Sequence, residues 1–488
     1  MTTRLTVYGY QFKISALEES QQKLLQSAAT YIVESDFENA TKQTKCFYTR
    51  GRSQSDWVRI PRDLGFRVLG DPEQISVQRP SHSFTEEETM AFAVCAPISL
   101  RPEQIHALSA VEPLLRCFRG ALLQAACGFG KTVCACELIR RMHVRTLILV
   151  DKISLVQQWQ DRIREFLPGI FSVEVCTVQS LQSHFYGSQP QATQSHLLRF
   201  SMLILDEVHC FCTFARAQFL TDMPCFPYIL GMSATPFRLD GAHRLLFDLI
   251  GPIAFRSFPI LKTNVDVLRL VFTYPLTFRV PRVGNRVNFV QLVTELSQNG
   301  ERTQHIADEI LALDENRHVL VLSDRNALLH NLHRLLSSSD KKIYMLTGQK
   351  NNTPITQQTW DVILAATKCA RDGLDVPYLN TLFMVTPMSC KRKKQITHNE
   401  TAITEEIRRT FPAALPPLST HRQHKFTSPQ VEQAVGRILR TQTSTVRPLI
   451  VDVIDMVTVA RTHATQRMSF YLLEKMNILP TKTIDLST

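Results

Sequence analysis

From residue 96 onward the sequence keeps one rhythm. A short apolar run is followed by a longer amphipathic stretch, and then by another apolar run. ALLQAA, TLILV, SVEVCT, MLILD and YILGMSAT all stand between stretches with helical spacing. Short apolar runs separated by helices point to βαβ units, whose parallel strands are covered on both faces. After GPIAFRSFPILK the rhythm restarts with RHVLVLSDR, the helical NALLHNLHRLL, KIYMLTG, DVILAAT, NTLFMVT and PLIVDVID. Two consecutive α/β domains are expected, joined near 255–265, with no internal sequence repeat.

The first 95 residues have a different texture. RLTVYGYQFKI, KCFYTR and FRVLG read as strand-like, and ALEESQQKLLQSAATYIVES as helical. The expected organisation is an N-terminal α+β accessory domain over 1–95, a first α/β domain over 96–258 and a second over 259–488. The stretch FYTRGRSQSDWVRIPRDLGFR mixes Arg with aromatics, a pairing that can face nucleic acid backbone and bases. Solvated arginines around a small β-rich core explain it equally well. The segment 391–426 opens with KRKK, contains PAALPPL, and reads as a basic insertion in the second domain.

One strand of the first domain leads into a phosphate-binding sequence. ALLQAACGFGKTVCACELI gives a strand, the loop Ala126, Cys127, Gly128, Phe129 and Gly130, then Lys131 and Thr132 opening a helix. The spacing is A-x-x-x-x-G-K-T, with Ala125 in place of the usual first glycine. Gly128 and Gly130 let backbone N–H groups curl around a polyphosphate, and the helix N-terminus adds a favourable dipole. Lys131 is expected to reach the β- and γ-phosphates, and the Thr132 hydroxyl to bind Mg²⁺. No N-K-x-D motif for guanine is present, so ATP is the expected nucleotide.

SMLILDEVHCFC then ends an apolar run in two adjacent carboxylates. Like charges at a strand end need a reason. In a doubly wound sheet the strand C-termini line the ligand crevice, so a metal ion beside the polyphosphate supplies one. Asp206 is the candidate Mg²⁺ carboxylate, and Glu207 the group that polarises the attacking water. In GMSATPFR, Ser233 and Thr235 stand just past the next strand, where their hydroxyls can bond His209 and sense the nucleotide state. Near the C-terminus, VEQAVGRILR sets Gln433, Gly436, Arg437 and Arg440 in Q-x-x-G-R-x-x-R spacing. Arg437 and Arg440 fall on one helical face, where two guanidiniums suit a triphosphate.

The bulk numbers fit such a chain. Its 488 residues are 44% hydrophobic, and Lys plus Arg outnumber Asp plus Glu by 55 to 44, a formal +11. That balance suits a polyanionic partner. The twelve cysteines include no C-x-x-C pair, which argues for reduced core thiols rather than a disulfide framework or a metal cluster. There is no signal-peptide core and no long apolar span, so a soluble intracellular protein is expected, with no membrane partner.

The order of these motifs resembles that of the superfamily 2 helicases. LRPEQ, AACGFGKT, LVDKISLVQQW, TVQSL, DEVH, SAT, ARDGLDVPYLNT and QAVGRILR follow one another over about 100–455. The form is similar to the XPB/UvsW-like branch, and most similar to the DEAD/DEAH-like helicases of large cytoplasmic DNA viruses such as iridoviruses and poxviruses. The resemblance implies two tandem RecA-like domains and ATP- and Mg²⁺-dependent helicase or translocase activity. It implies a nucleic acid partner, DNA rather than RNA.

Several roles come from the resemblance alone. Gln104 takes the place of the adenine-reading glutamine, Gln433 lies in the nucleotide-binding motif, and Asp375 corresponds to the aspartate that touches ribose. Lys152, Thr177, Gln179, Thr347 and Gly348 fall in segments that grip a nucleic acid strand. Arg437 and Arg440 correspond to the arginine fingers. Asp151 departs from the family, which usually has proline there, and Asp372 replaces a more common Glu.

A translocase that remodels protein–DNA or transcription complexes without long unwinding fits the same motifs, as does an RNA helicase. A non-hydrolysing clamp fits less well, because such clamps usually lose the lysine, the glutamate or the fingers. The protein is expected to act as a monomer alongside transcription, replication or repair proteins. If it is viral, host cytoplasm, nucleus or virion are the expected locations.

Overall fold

The computed structural model describes residues 2–33, 43–50, 56–77, 84–126, 128–187, 189–234, 236, 242–257, 263–347, 359–368, 376, 378–389, 429–439 and 446–487. The chain divides into two compact units. Among the described residues the first ends within the segment before 258 and the second begins after it.

The first unit opens with a mostly antiparallel sheet in the order Thr49–Arg50, Trp57–Ile60, Gly9–Lys13, Thr3–Thr6, Gln74–Ser76. Alternation along these strands sends Leu5, Tyr10, Phe12, Val58 and Ile60 into one core, beneath the helices Glu19–Ala28 and Arg62–Leu69. Two local expectations are corrected here. FRVLG is not a strand but the end of the helix Arg62–Leu69. Pro61 fixes its entry, Asp63 and Arg67 complement its two ends, and Gly70, at φ +84°, stops it. The helical stretch after Leu17 ends at Ala28, and the β-branched and aromatic TYIV forms the strand Thr30–Val33, paired with Gln43–Cys46.

A parallel sheet of six strands follows. Its order is Val173–Thr177, Thr146–Val150, Met202–Leu205, Tyr228–Ser233, Ala121–Gln124, Ile253–Arg256. The strands Thr146–Val150 and Met202–Leu205 are buried throughout, which is why they read as unbroken apolar runs.

The N-terminal sheet docks on this second layer through buried charge. Arg62 donates to the carbonyls of Phe118, Phe226 (2.5 Å) and Pro227 (2.7 Å). Arg59 donates to Thr221 O at 2.9 Å, and Arg67 pairs with Asp248, which also accepts from Tyr31 Oη at 2.7 Å. Arg59, Arg62 and Arg67 of the Arg- and aromatic-rich stretch thus serve an internal interface. Phe118 and Pro227 precede their strands, so the docking site is the amino edge of the parallel sheet.

The second unit is another parallel sheet, ordered Ile343–Leu346, Val362–Ala366, Val319–Ser323, Thr381–Met384, Leu449–Asp455, Asp266–Thr273, Asn477–Ile478, with Lys482–Asp485 also paired to Asp266–Thr273. The strand Asp266–Thr273 lies ahead of the point where the sequence rhythm restarts. Its polar residues Asp266 and Arg269 hide it from an apolar-run reading. Two buried ion pairs brace Leu449–Asp455, Arg302 with Asp455 at 2.7 Å and Arg467 with Asp452 at 2.8 Å.

Candidate nucleotide site

In the first unit the motif residues gather at the carboxyl edge of the parallel sheet, opposite the docked N-terminal sheet. The phosphate loop follows Ala121–Gln124, Ser233 ends the adjacent strand, and Asp206 follows the strand beyond that. Lys152 lies two residues past the strand Thr146–Val150, and Thr177 ends the neighbouring edge strand Val173–Thr177. This is the edge at which open α/β sheets bind ligands.

The loop is tightly braced. Gly130 caps the helix Lys131–Met142 in a left-handed conformation, φ +84°, and a Cβ there would meet Gln104 Nε2 at 2.4 Å. A glycine is therefore needed for both backbone shape and close approach. Gln104 is buried; its Nε2 donates to Phe129 O at 2.9 Å, and its Oε1 accepts from Arg101 N–H at 2.9 Å. Arg101 Nη2 donates to the carbonyls of Gly128 and Phe129. Lys131 Nζ donates to Ala125 O at 3.0 Å and Ala126 O at 3.4 Å, while Ala126 N–H donates to Ser257 Oγ at 3.1 Å. Thr132 lies in the first turn of the helix. Cys127 lies outside the described residues.

Glu207 adopts φ +45°, a left-handed conformation uncommon for a residue with a side chain, and caps a short 3₁₀ turn, Val208–Phe211. Gly231 permits this turn to lie close on the sheet, because a Cβ there would meet Leu122 Cδ2 at 2.4 Å and Val208 Cγ2 at 2.9 Å. Asp206 Oδ1 accepts from Glu207 N–H at 2.9 Å and Oδ2 from Trp159 Nε1–H at 2.8 Å. Burial, then the charge of Glu207, raise the Asp206 pKa; Trp159 and Lys131 pull against them.

His209 and Ser233 meet as the sequence suggests, with Nδ1 3.0 Å from Oγ. Ser233 Oγ also donates to Glu207 Oε2 at 3.4 Å. Thr235 lies outside the described residues.

A hard divalent ion suits this donor set. Asp206 offers a half-buried carboxylate and Thr132 a hydroxyl, both oxygen ligands. No cluster of three or more His, Cys, Asp or Glu that could hold a metal occurs among the described residues.

The strand-contact candidates are more scattered in state. Thr177 Oγ1 accepts from Ser180 N–H at 3.1 Å and so caps the helix Val178–Tyr186, on which Gln179 is exposed. Lys152 caps the helix Ile153–Phe166 through its backbone. In the second unit Thr347 follows the strand Ile343–Leu346, whereas Gly348, Asp375 and Arg440 lie outside the described residues, as does the side chain of Gln433. The helix Pro429–Arg437 stops at Arg437, with Ile438 N–H bonding back to Val435 O at 3.2 Å, so the described helix does not extend to Arg440. Arg437 is 6% exposed.

Two contributors were not foreseen. Trp159 reads as a core position on an amphipathic helix, and only its indole N–H, a donor that needs an acceptor when buried, hinted at more. Arg216 pairs with Asp151, the residue that departs from the family pattern, and donates to Cys210 O at 2.9 Å. The cysteines Cys134, Cys136 and Cys176 are free thiols pushed by burial up to about 12, in keeping with inert core residues. No described helix is long and apolar enough to cross a membrane.

Residues 97–238 match the family described as "Type III restriction enzyme, res subunit". The chain is 23% identical to a protein of Acanthamoeba polyphaga mimivirus named "Putative ATP-dependent RNA helicase", over 98% of this chain and 86% of that one. It is 35% identical to the "DNA 3'-5' translocase XPB2" of Sulfurisphaera tokodaii, over 33% of this chain and 36% of the relative. Among solved structures, S. cerevisiae Dbp5 bound to RNA and ADP BeF3 aligns with TM-score 0.50 and 10% identity, covering 83% of this chain and 94% of that one. That likeness concerns the fold, tandem RecA-like domains.

Proposed function

We propose that this chain, with its ResIII-type helicase domain and its XPB-like and viral helicase homologues, moves along DNA by coupling strand contacts to ATP hydrolysis at the site around Lys131, Asp206 and Glu207. The protein is an ATP-dependent nucleic acid helicase or translocase, and hence a nucleic-acid-dependent ATPase. DNA as the track, Mg²⁺ as the ion and the residue roles below are our reading.

The observation that carries it is the placement of phosphate loop, adjacent carboxylates, Ser233 and the segment at Lys152 along one edge of one sheet. Backbone N–H groups of 126–130 and Lys131 bind the β- and γ-phosphates. Lys131 exchanges its carbonyl partners for phosphate oxygens. Gln104 keeps one further donor and one further acceptor for adenine. Asp206 and Thr132 hold Mg²⁺, which when bound offsets triphosphate charge and the repulsion between the two carboxylates. Glu207 takes a proton from the attacking water. Arg437 and Arg440 stabilise charge on the transferring phosphoryl group. His209 and Ser233 sense the γ-phosphate through Glu207. Lys152, Thr177, Gln179, Thr347 and Gly348 contact the strand, and Asp375 and Gln433 complete the nucleotide contacts.

The 35% identity to a DNA translocase favours DNA, while a relative named as an RNA helicase keeps RNA as the second reading. Strand displacement on forked DNA and on an equivalent RNA duplex, with ATP, tests the choice. DNA displacement or ATP-driven movement on DNA supports the reading; action on RNA alone contradicts it.

A further inference from the structure

We propose that Trp159 is a positioning residue for Asp206, and that its indole N–H links the metal-facing carboxylate to the strand-facing end of the helix Ile153–Phe166. The inference rests on the nucleotide-site reading above. It starts from a hydrogen bond between a buried indole and a half-buried carboxylate. Trp159 is 2% exposed, and its Nε1–H donates to Asp206 Oδ2 at 2.8 Å. An indole N–H can only donate, so it favours an acceptor carboxylate, and a hydrogen bond to a charged acceptor is roughly twice as strong as a neutral one.

Geometry makes the bond directional. Glu207 N–H holds Oδ1 and Trp159 holds Oδ2, so the two donors fix the plane of the carboxylate. Each oxygen keeps a lone pair for another partner. A flexible aspartate would have to be ordered each time an ion arrived; this one is already oriented.

The helix that carries Trp159 begins immediately after Asp151 and Lys152. Asp151 pairs with Arg216, and Arg216 Nη1 donates to Cys210 O, in the turn that follows Glu207. The segment 151–159 is therefore tied to the segment 206–210 twice, directly through Trp159 and, from Asp151, through Arg216. A displacement of Lys152 by a bound strand is transmitted along a rigid helix to Asp206.

The test is the Mg²⁺ dependence of nucleotide binding by the full chain, read with a fluorescent ATP analogue. Two variants are compared with the wild type: Trp159→Phe, and replacement of Trp159 by benzothienylalanine, which keeps the bicyclic shape and lacks the N–H. The Mg²⁺ concentration at half-maximal binding is expected to rise about tenfold in both, with nucleotide binding in the absence of Mg²⁺ unchanged. An unchanged Mg²⁺ midpoint in the benzothienylalanine protein overturns the proposal, and it decides the matter even where the Phe variant does not fold. Absence of Mg²⁺-dependent nucleotide binding by the wild type overturns the nucleotide-site reading itself, and with it this inference.

Discussion

His209 Nδ1 lies 3.0 Å from Ser233 Oγ, so the turn after one strand of the first unit is tied to the end of its neighbour. Glu207 Oε2 is 3.3 Å from the same nitrogen. Burial lowers the His209 pKa, but hydrogen bonds to Cys210 and Glu207 outweigh it and raise the value to about 10. A folded pKa above the ordinary one means that the imidazolium stabilises the fold fully below about 6.5 and loses that contribution as pH rises through about 10. Imidazole NMR should show His209 protonated at pH 7.5; a midpoint near 6.5 would contradict this account.

Removing the hydroxyl should loosen the same link. Ser233→Ala is expected to reduce the stimulation of hydrolysis by nucleic acid by roughly three- to tenfold, the size of one lost hydrogen bond. ATP binding should change little. The comparison is of kcat with and without saturating polymer; equal stimulation in variant and wild type would remove Ser233 from the coupling path.

Glu207→Gln should separate binding from chemistry. The amide keeps the size of the side chain but is a poor base, so turnover is expected to fall about 10²–10⁴-fold while ATP affinity holds. Single-turnover hydrolysis alongside nucleotide binding gives both numbers. Near-normal turnover would place the base elsewhere.

The architecture was legible because its signal is repetitive. Strands such as Thr146–Val150 and Met202–Leu205 are buried on both faces and must be apolar from end to end. The phosphate loop was legible because its G-K-T spacing follows a strand and opens a helix, with Gly130 in a left-handed conformation that disfavours a side chain. What could not be read was long-range and polar. Nothing local marks Arg62 as bonding three carbonyls across an interface, or Asp151 as the partner of Arg216. FRVLG looks like a strand by composition, and becomes helical because Pro61 and Gly70 frame it. Asp266–Thr273 was missed for the opposite reason, polar residues within a strand that sits inside its sheet.

Arg62 gives a stability prediction. Arg62→Ala leaves the carbonyls of Phe118, Phe226 and Pro227 without their buried donor and should destabilise the first unit by about 3 kcal/mol. Urea unfolding of the full chain, followed by far-UV circular dichroism, measures the change. A loss below about 0.5 kcal/mol would mean that the Arg62 hydrogen bonds do not hold the N-terminal sheet in place.

The central claim is that this site hydrolyses ATP in response to nucleic acid. Steady-state phosphate release with Mg²⁺, alone and with single-stranded DNA, duplex DNA, forked DNA and RNA, tests it most directly, with Lys131→Ala as the control. The account predicts strong stimulation by DNA, weakening steeply as salt rises, and no hydrolysis by Lys131→Ala. Hydrolysis by folded wild-type protein that no polymer alters, or turnover that survives in Lys131→Ala, would contradict it.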